Sequence, residues 1–409
     1  MQVNAEKMVY IRRRGHSYKK NRIMGNVKPL PRLRYDRLLL LMIVTIALGW
    51  GMLSIVRSLV LKLSTAKVDQ ISSTEPIKTG YNVQSAPNWD SKAQLQAIVN
   101  ETVAIAKNKG FPTEALSITL VDVSDSGKHY KAGYNNQILR FPASVAKLFW
   151  LVGFFDQVER GSIRDESKFH DHLNQMIRIS DNQSASEIVD AITQTTSGEA
   201  LTGKDLTTWL NQRSQINKFF EQAGYAGIIL SMKNYPIDNS QETPTGRDLQ
   251  LKQTRDLVNG NQITTDQAAR LMYEIYTQQA VSPIASTKMA YLLTRDLNSE
   301  TWDESDRHFI EGFLGQSLPT DIYFGSKVGY TSHSRQEVIF VRTLDDQTIY
   351  ILAIFANDPA YSQDQDIFPQ MSRHIFDRLN RASQNLTPKE VSVFNSTTEP
   401  SQLKKPSLN

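Results

Sequence analysis

Residues 141–155 read Phe141-Pro142-Ala143-Ser144-Val145-Ala146-Lys147-Leu148-Phe149-Trp150-Leu151-Val152-Gly153-Phe154-Phe155. A proline near the first turn, followed by an almost unbroken apolar run, predicts the start of a buried helix. Residues three apart share a helical face, so Ser144 and Lys147 point the same way. A hydroxyl beside an amine, at the head of a helix hydrophobic all round, suits a serine nucleophile with a lysine as its base. The spacing alone decides little, because Ser64-Thr65-Ala66-Lys67 and Ser401-Gln402-Leu403-Lys404 repeat it. Both repeats lie in polar sequence with no helical pattern to hold them. Only Ser144 has the context.

Outward from that helix the chain alternates between two kinds of pattern. Upstream, Asp90 or Ser91 can cap a helix carrying Leu95, Ile98, Val99, Val103 and Ala106. Leu116, Ile118 and Leu120 then alternate with Ser117 and Thr119 as a strand, and Ser126-Gly127 turns it towards a second strand around His129–Tyr134. Downstream, residues 165–289 read as helical with polar interruptions, of which 193–214 looks inserted. Asn259-Gly260-Asn261 is expected to turn, and Thr264 or Thr265 to cap a helix bearing Ala268, Ala269, Met272 and Ile275. Strand patterns return at Ile322–Phe324 leading into Lys327, at Val338–Val341, and at Ile349–Ala356 after Asp345-Asp346. A helix with Phe368, Met371, Ile375 and Leu379 follows. Early and late strands are both short of partners, which predicts one antiparallel sheet built from both ends of the domain. The fold class is α+β: a five-stranded antiparallel sheet flanked by helices, a mainly helical lobe packed on it, and a cleft between them as the natural site.

The ends of the 409-residue chain differ from this core. Residues 1–37 are rich in Lys and Arg, with acids only at Glu6 and Asp36, and Leu38–Val56 carries no charge. That run is about the length a bilayer core requires. A cleaved signal peptide has a shorter apolar region, usually ~7–15 residues, so an uncleaved anchor is expected. The positive flank precedes the span, so the N-terminus is expected in the cytoplasm of a plasma-membrane protein and the domain on the periplasmic side. Residues 57–89 read as a polar linker, 90–382 as the catalytic domain, and 383–409 as a polar, disordered tail. The net charge of +4 names no partner, and the basic leader is explained by the adjoining span rather than by nucleic acid. With no cysteine and seven scattered histidines, neither a metal nor a cofactor is expected. The one close pair, His170-Asp171-His172, reads as a surface segment.

Two further stretches complete a constellation. Ile179-Ser180-Asp181-Asn182-Gln183 reads as part of a helical segment with Met176, Ile188 and Val189. Gly325-Ser326-Lys327-Val328-Gly329-Tyr330-Thr331 stands at the end of a strand. Ser-x-x-Lys, then Ser-Asp-Asn, then Lys-(Thr/Ser)-Gly in that order is the signature of class A β-lactamases and penicillin-binding proteins. From Asp90 to Asn380 the chain resembles that superfamily. Its third motif departs from the pattern, with Val328 where a hydroxyl is usual.

The resemblance implies roles for these residues. Ser144 attacks an amide or lactam carbonyl, Lys147 takes its proton, and Ser180 passes a proton to the departing nitrogen. Asn182 holds the substrate amide and steadies Lys147, while Lys327 offers a cation to the substrate carboxylate. Gly329, Tyr330 and Thr331 line the substrate, with the oxyanion between the backbone N–H groups of Ser144 and Tyr330. Without a hydroxyl at Val328, carboxylate binding falls to Thr331, Ser332 or Arg335. Class A β-lactamases also place a glutamate before a proline after Ser-Asp-Asn, and that glutamate activates the deacylating water. The corresponding stretch is Ser231-Met232-Lys233-Asn234-Tyr235-Pro236, so Tyr235 stands in its place and Glu242 is the nearest acid beyond. The expected function is a serine hydrolase forming an acyl-enzyme on β-lactams or D-Ala-D-Ala-like peptidoglycan amides, either β-lactamase-like with slow deacylation or a DD-peptidase. The alternative is a non-catalytic cell-wall or penicillin-binding protein that keeps the pocket.

Overall fold

The computed structural model describes residues 85–384, apart from 239–240, 256 and 258–259. The expected basic leader, membrane span and most of the linker, and the tail beyond residue 384, lie outside the described residues. So does Asn259 of the expected turn. Among the described residues no helix is long and apolar enough to cross a membrane.

Along the chain come helix α1 (Ala93–Asn108), strands β1 (Leu116–Asp122) and β2 (Tyr130–Tyr134), and helices α2 (Ala146–Glu159), α3 (His170–Arg178), α4 (Asn182–Thr193), α5 (Gly203–Arg213), α6 (Gln215–Gln222), α7 (Gly246–Thr254), α8 (Thr265–Tyr276), α9 (Pro283–Leu293) and α10 (Glu304–Ile310). Strands β3 (Ile322–Thr331), β4 (Ser334–Thr343) and β5 (Ile349–Ala356) follow, then helices α11 (Pro359–Gln363) and α12 (Ile367–Gln384). The sheet order is β2-β1-β5-β4-β3, and every neighbouring pair is antiparallel. The first strand therefore pairs with the last, Leu120 opposite Leu352, so the sheet closes only when both ends of the domain meet. This is the expected α+β architecture.

Alternation along β1 explains why the sheet is buried on both faces. Ile118 and Leu120 enter a core with Leu95 and Val99 of α1 and Phe368, Met371 and Ile375 of α12. Val121 faces the other way, into the larger core built around α2. Every residue of α2 from Ala146 to Asp156 is buried, as a helix that is apolar all round requires. Gly153 lets α6 approach, since a Cβ there would lie 2.8 Å from Ile216 Cδ1. The polar 193–214 stretch is no plain insertion. With the segments after it, it builds a satellite core of Trp209, Leu210, Met232, Leu251 and Leu257.

Several local expectations need correcting. Neither Asp90 nor Ser91 caps α1, whose N-cap is Lys92 without a side-chain cap. Asp90 is instead drawn into backbone pairing beside β2, with Lys131 N–H donating to its carbonyl at 2.8 Å. Of the two caps expected for α8, Thr264 is the one used, in a reciprocal capping box with Gln267. Helix α12 runs to Gln384, two residues into the stretch expected to be disordered.

Candidate active site

Ser144 lies two residues before α2 rather than in it. Ala143–Val145 forms a 3₁₀ turn, and the α-helix begins at Ala146. Ala143 enters that turn at φ 46°, in the left-handed region that costs a non-glycine residue about 1–3 kcal/mol. The edge strand β3 comes close here. A Cβ on Gly329 would sit 2.6 Å from Pro142 O and 2.9 Å from Ser144 N, so only glycine lets the strand lie against the nucleophile's backbone.

The Ser-Asp-Asn stretch also differs from its helical reading. Ser180 occupies the turn between α3 and α4 at φ 58°, and Asp181 caps α4 by accepting from Ser184 N–H at 2.5 Å. Capping aims α4 so that Asn182, its first residue, reaches the amine of Lys147. Lys327 stands within β3, which continues to Thr331, rather than near a strand end.

These elements bring five side chains together. Lys147 Nζ is fully buried, 3.0 Å from Ser144 Oγ and 3.3 Å from Ser180 Oγ. It donates to the Ser180 carbonyl and, at 2.6 Å, to Asn182 Oδ1. The Asn182 amide is oriented by its other end, which donates to Pro236 O at 2.7 Å. Both acceptors can only accept. A neutral amine has two N–H groups to give them, which leaves its lone pair for the Ser144 hydroxyl. Burial pushes Lys147 down from 10.5 to about 7, against a weaker opposing pull from Asp181.

Lys327 is also fully buried and donates to Ser180 Oγ at 2.9 Å and to Val328 O at 3.0 Å. Its ammonium thus lies against Ser180. Burial first, then Lys147 and Arg295, push its pKa well below 10.5. Ser180 Oγ bridges the two lysines.

The cleft opens on both sides of Ser144. One cavity of about 610 Å³ is lined by Ser144, Asn182, Asn234, Tyr235, Tyr330 and Thr331. Another of about 540 Å³ runs past Ser144, Ser180 and Val328 towards Arg307, His308 and Glu311. Tyr235 borders the first, but burial and the charges of Asp248 and Asp190 raise its phenol above the usual range, so it stays protonated. Glu242 lies in a third cavity with Ser180, Asp181 and Asn182.

Sequence reasoning missed Asn234, whose Nδ2 donates to Ala143 O at 3.3 Å and ties its loop to the nucleophile turn. Its place beside Tyr235 was the available signal. It also missed the buried Glu337 behind β3, which accepts from Ser326 Oγ and Leu314 N–H, each at 2.6 Å. Burial raises that carboxyl from 4.5 to about 7. Among the described residues no cluster of His, Cys, Asp and Glu could hold a metal ion.

The Beta-lactamase2 signature, described as the β-lactamase enzyme family, matches residues 92–379. The chain belongs to this family. The β-lactamase of Sphaerobacter thermophilus is 18% identical, with a TM-score of 0.46 over 71% of this chain and 99% of that one. A class A β-lactamase representative from Bacteroides cellulosilyticus is 16% identical, with a TM-score of 0.47 over 71% and 100%. PBP-A is 17% identical, with a TM-score of 0.47 over 73% and 100%. No curated protein matches the chain.

Proposed function

We propose that this member of the β-lactamase enzyme family forms an acyl-enzyme through Ser144 on β-lactams or D-Ala-D-Ala-like amides and releases it slowly. The observation that carries the reading is the amine of Lys147, held by two acceptors with Ser144 Oγ 3.0 Å away. Ser144 Oγ attacks the carbonyl carbon while its proton passes to neutral Lys147. As the tetrahedral centre collapses, the C–N bond breaks. The proton moves from Lys147 through Ser180 Oγ to the departing nitrogen, so no co-reactant is needed. Lys327 keeps Ser180 oriented and its hydroxyl acidic. The backbone N–H groups of Ser144 and Tyr330 receive the oxyanion.

Deacylation needs water activated by a base, and a buried protonated phenol at Tyr235 supplies none. Val328 supports a second reading, a penicillin-binding protein that keeps the pocket without turnover. Gel labelling with a fluorescent penicillin separates the two readings. An acyl-enzyme former labels, and Ser144→Ala does not; a dead pocket leaves both unlabelled.

The basic leader before Leu38–Val56 supports a single-pass anchor with the domain outside the plasma membrane. Protease added to spheroplasts should then digest the domain and spare residues before Arg37. Protection of the domain in intact spheroplasts would reverse the orientation.

A further inference from the structure

The groups expected to bind a substrate carboxylate are engaged elsewhere. Lys327 is buried against Ser180. Arg335 donates Nε to Tyr361 O at 3.1 Å, Nη1 to Gly312 O at 2.5 Å and Nη2 to Ser362 O at 2.8 Å. Its guanidinium also packs on the rings of Phe313 and Tyr330. Thr331 Oγ1 shares a hydrogen bond with Ser334 at 2.8 Å, and Ser332 Oγ pairs with His333 at 2.7 Å. Val328 offers only methyl groups.

The departing nitrogen must leave on the Ser180 side, because Ser180 carries the proton it takes. Whatever is attached to that nitrogen then enters the 540 Å³ cavity beyond Ser180 and Val328. Arg307, on that cavity's wall, projects from α10, which Asp303 fixes by capping Asp306 N–H at 2.9 Å. The guanidinium is exposed and meets Glu311 through Nη1 at 3.2 Å. A guanidinium carries five N–H groups in a fork that matches a carboxylate, so one such contact leaves capacity for a second anion.

We propose that Arg307 is a specificity-determining residue that receives the carboxylate of the leaving group, whether a penicillin's or a peptide's C-terminal one. The inference rests on the acyl-enzyme reading for its choice of leaving-group side. Glu311 competes for the same guanidinium and tempers the site's affinity.

The test is equilibrium binding by calorimetry on the full chain carrying Ser144→Ala, where no bond can form. The probes are benzylpenicillin and its methyl ester, which lacks the charge. The acid should bind at least ~10-fold tighter than the ester, the usual scale for a hydrogen-bonded charge pair. Adding Arg307→Ala should erase that preference, Arg307→Lys should keep part of it, and Glu311→Gln should raise it. Arg307 is exposed, so these variants should keep the parent's melting temperature. A preference unchanged in Arg307→Ala, or no preference in the parent, overturns the proposal. Labelling of the chain with Ser144 intact reports separately. Labelling with an Arg307-independent preference sinks only this inference, whereas an Arg307-dependent preference without labelling sinks only the acyl-enzyme reading.

Discussion

The rate of Ser144 acylation should depend on pH through Lys147. The amine serves as a base only when neutral, and burial brings it from 10.5 to about 7. That displacement corresponds to about 5 kcal/mol in favour of the neutral form at fixed pH. An ordinary lysine would be neutral in only ~1 molecule in 3,000 at pH 7, whereas here the fraction is roughly one half. It falls to ~1 in 10 at pH 6 and ~1 in 100 at pH 5, so the acylation rate should rise about tenfold per pH unit and level off above 7. Lys327 lies across Ser180, and once Lys147 is neutral its repulsion on Lys327 ends, which favours Lys327 keeping its proton. Because Lys327 is also displaced downwards, a falling limb is expected on the alkaline side below 10.5. The assay is quenched-time labelling with a penicillin from pH 5 to 9, in parallel with Lys147→Ala. That variant should label at least ~10²-fold more slowly and lose the acid limb. A parent rate flat from pH 5 to 8, or the same acid limb in Lys147→Ala, would refute the argument.

Two predictions concern the structure around the site. Gly329→Ala places a Cβ 2.6 Å from Pro142 O, so β3 must move off the nucleophile turn. Acylation should fall by about 10²-fold while the circular-dichroism spectrum is kept, and an unchanged rate would mean the strand does not position Ser144. Glu337 binds its proton more tightly folded than unfolded, at about 7 against 4.5. Its contribution to stability is therefore fully present below 4.5 and lost as pH rises towards about 7. The difference in melting temperature between the parent and Glu337→Gln should change across that window and be flat above it, and a pH-independent difference would contradict the buried, proton-holding state.

Much of the fold was legible because its patterns are local. Residues 116–122 alternate, and the run from Leu148 to Phe155 is apolar without interruption, so a strand and a central helix could be read directly. The closing of the sheet by β1 against β5 followed from unpartnered strands at both ends. The site was legible by spacing, since Ser144 and Lys147 meet across one turn. What spacing could not give is the direction of a side chain. Lys327 reads as a cation for the substrate at a strand end, but it lies buried within β3 with its amine on Ser180. Arg335 reads as a spare cation, yet carbonyls of Gly312, Tyr361 and Ser362, all far from it in sequence, surround it. Ser180 reads as helical because its flanks are, whereas the turn that frees its carbonyl for Lys147 needs a left-handed residue that no periodicity marks. Segment 296–320 has neither clear period, so Arg307 and Glu311 went unread.

The central claim is an acyl-enzyme on Ser144 that forms and persists, and intact-protein mass followed in time after mixing with a penicillin tests it most directly. Losing general-base help to water should lengthen the intermediate's life from milliseconds to minutes, since each ~1.4 kcal/mol of barrier is a factor of ten. The expected result is a mass increase of one penicillin, mapped to the peptide containing Ser144, stable for minutes and absent in Ser144→Ala. No adduct at any time, with the penicillin left unhydrolysed, would contradict acylation itself. Rapid hydrolysis with no trapped adduct would contradict slow release and make Glu242 the first residue to replace.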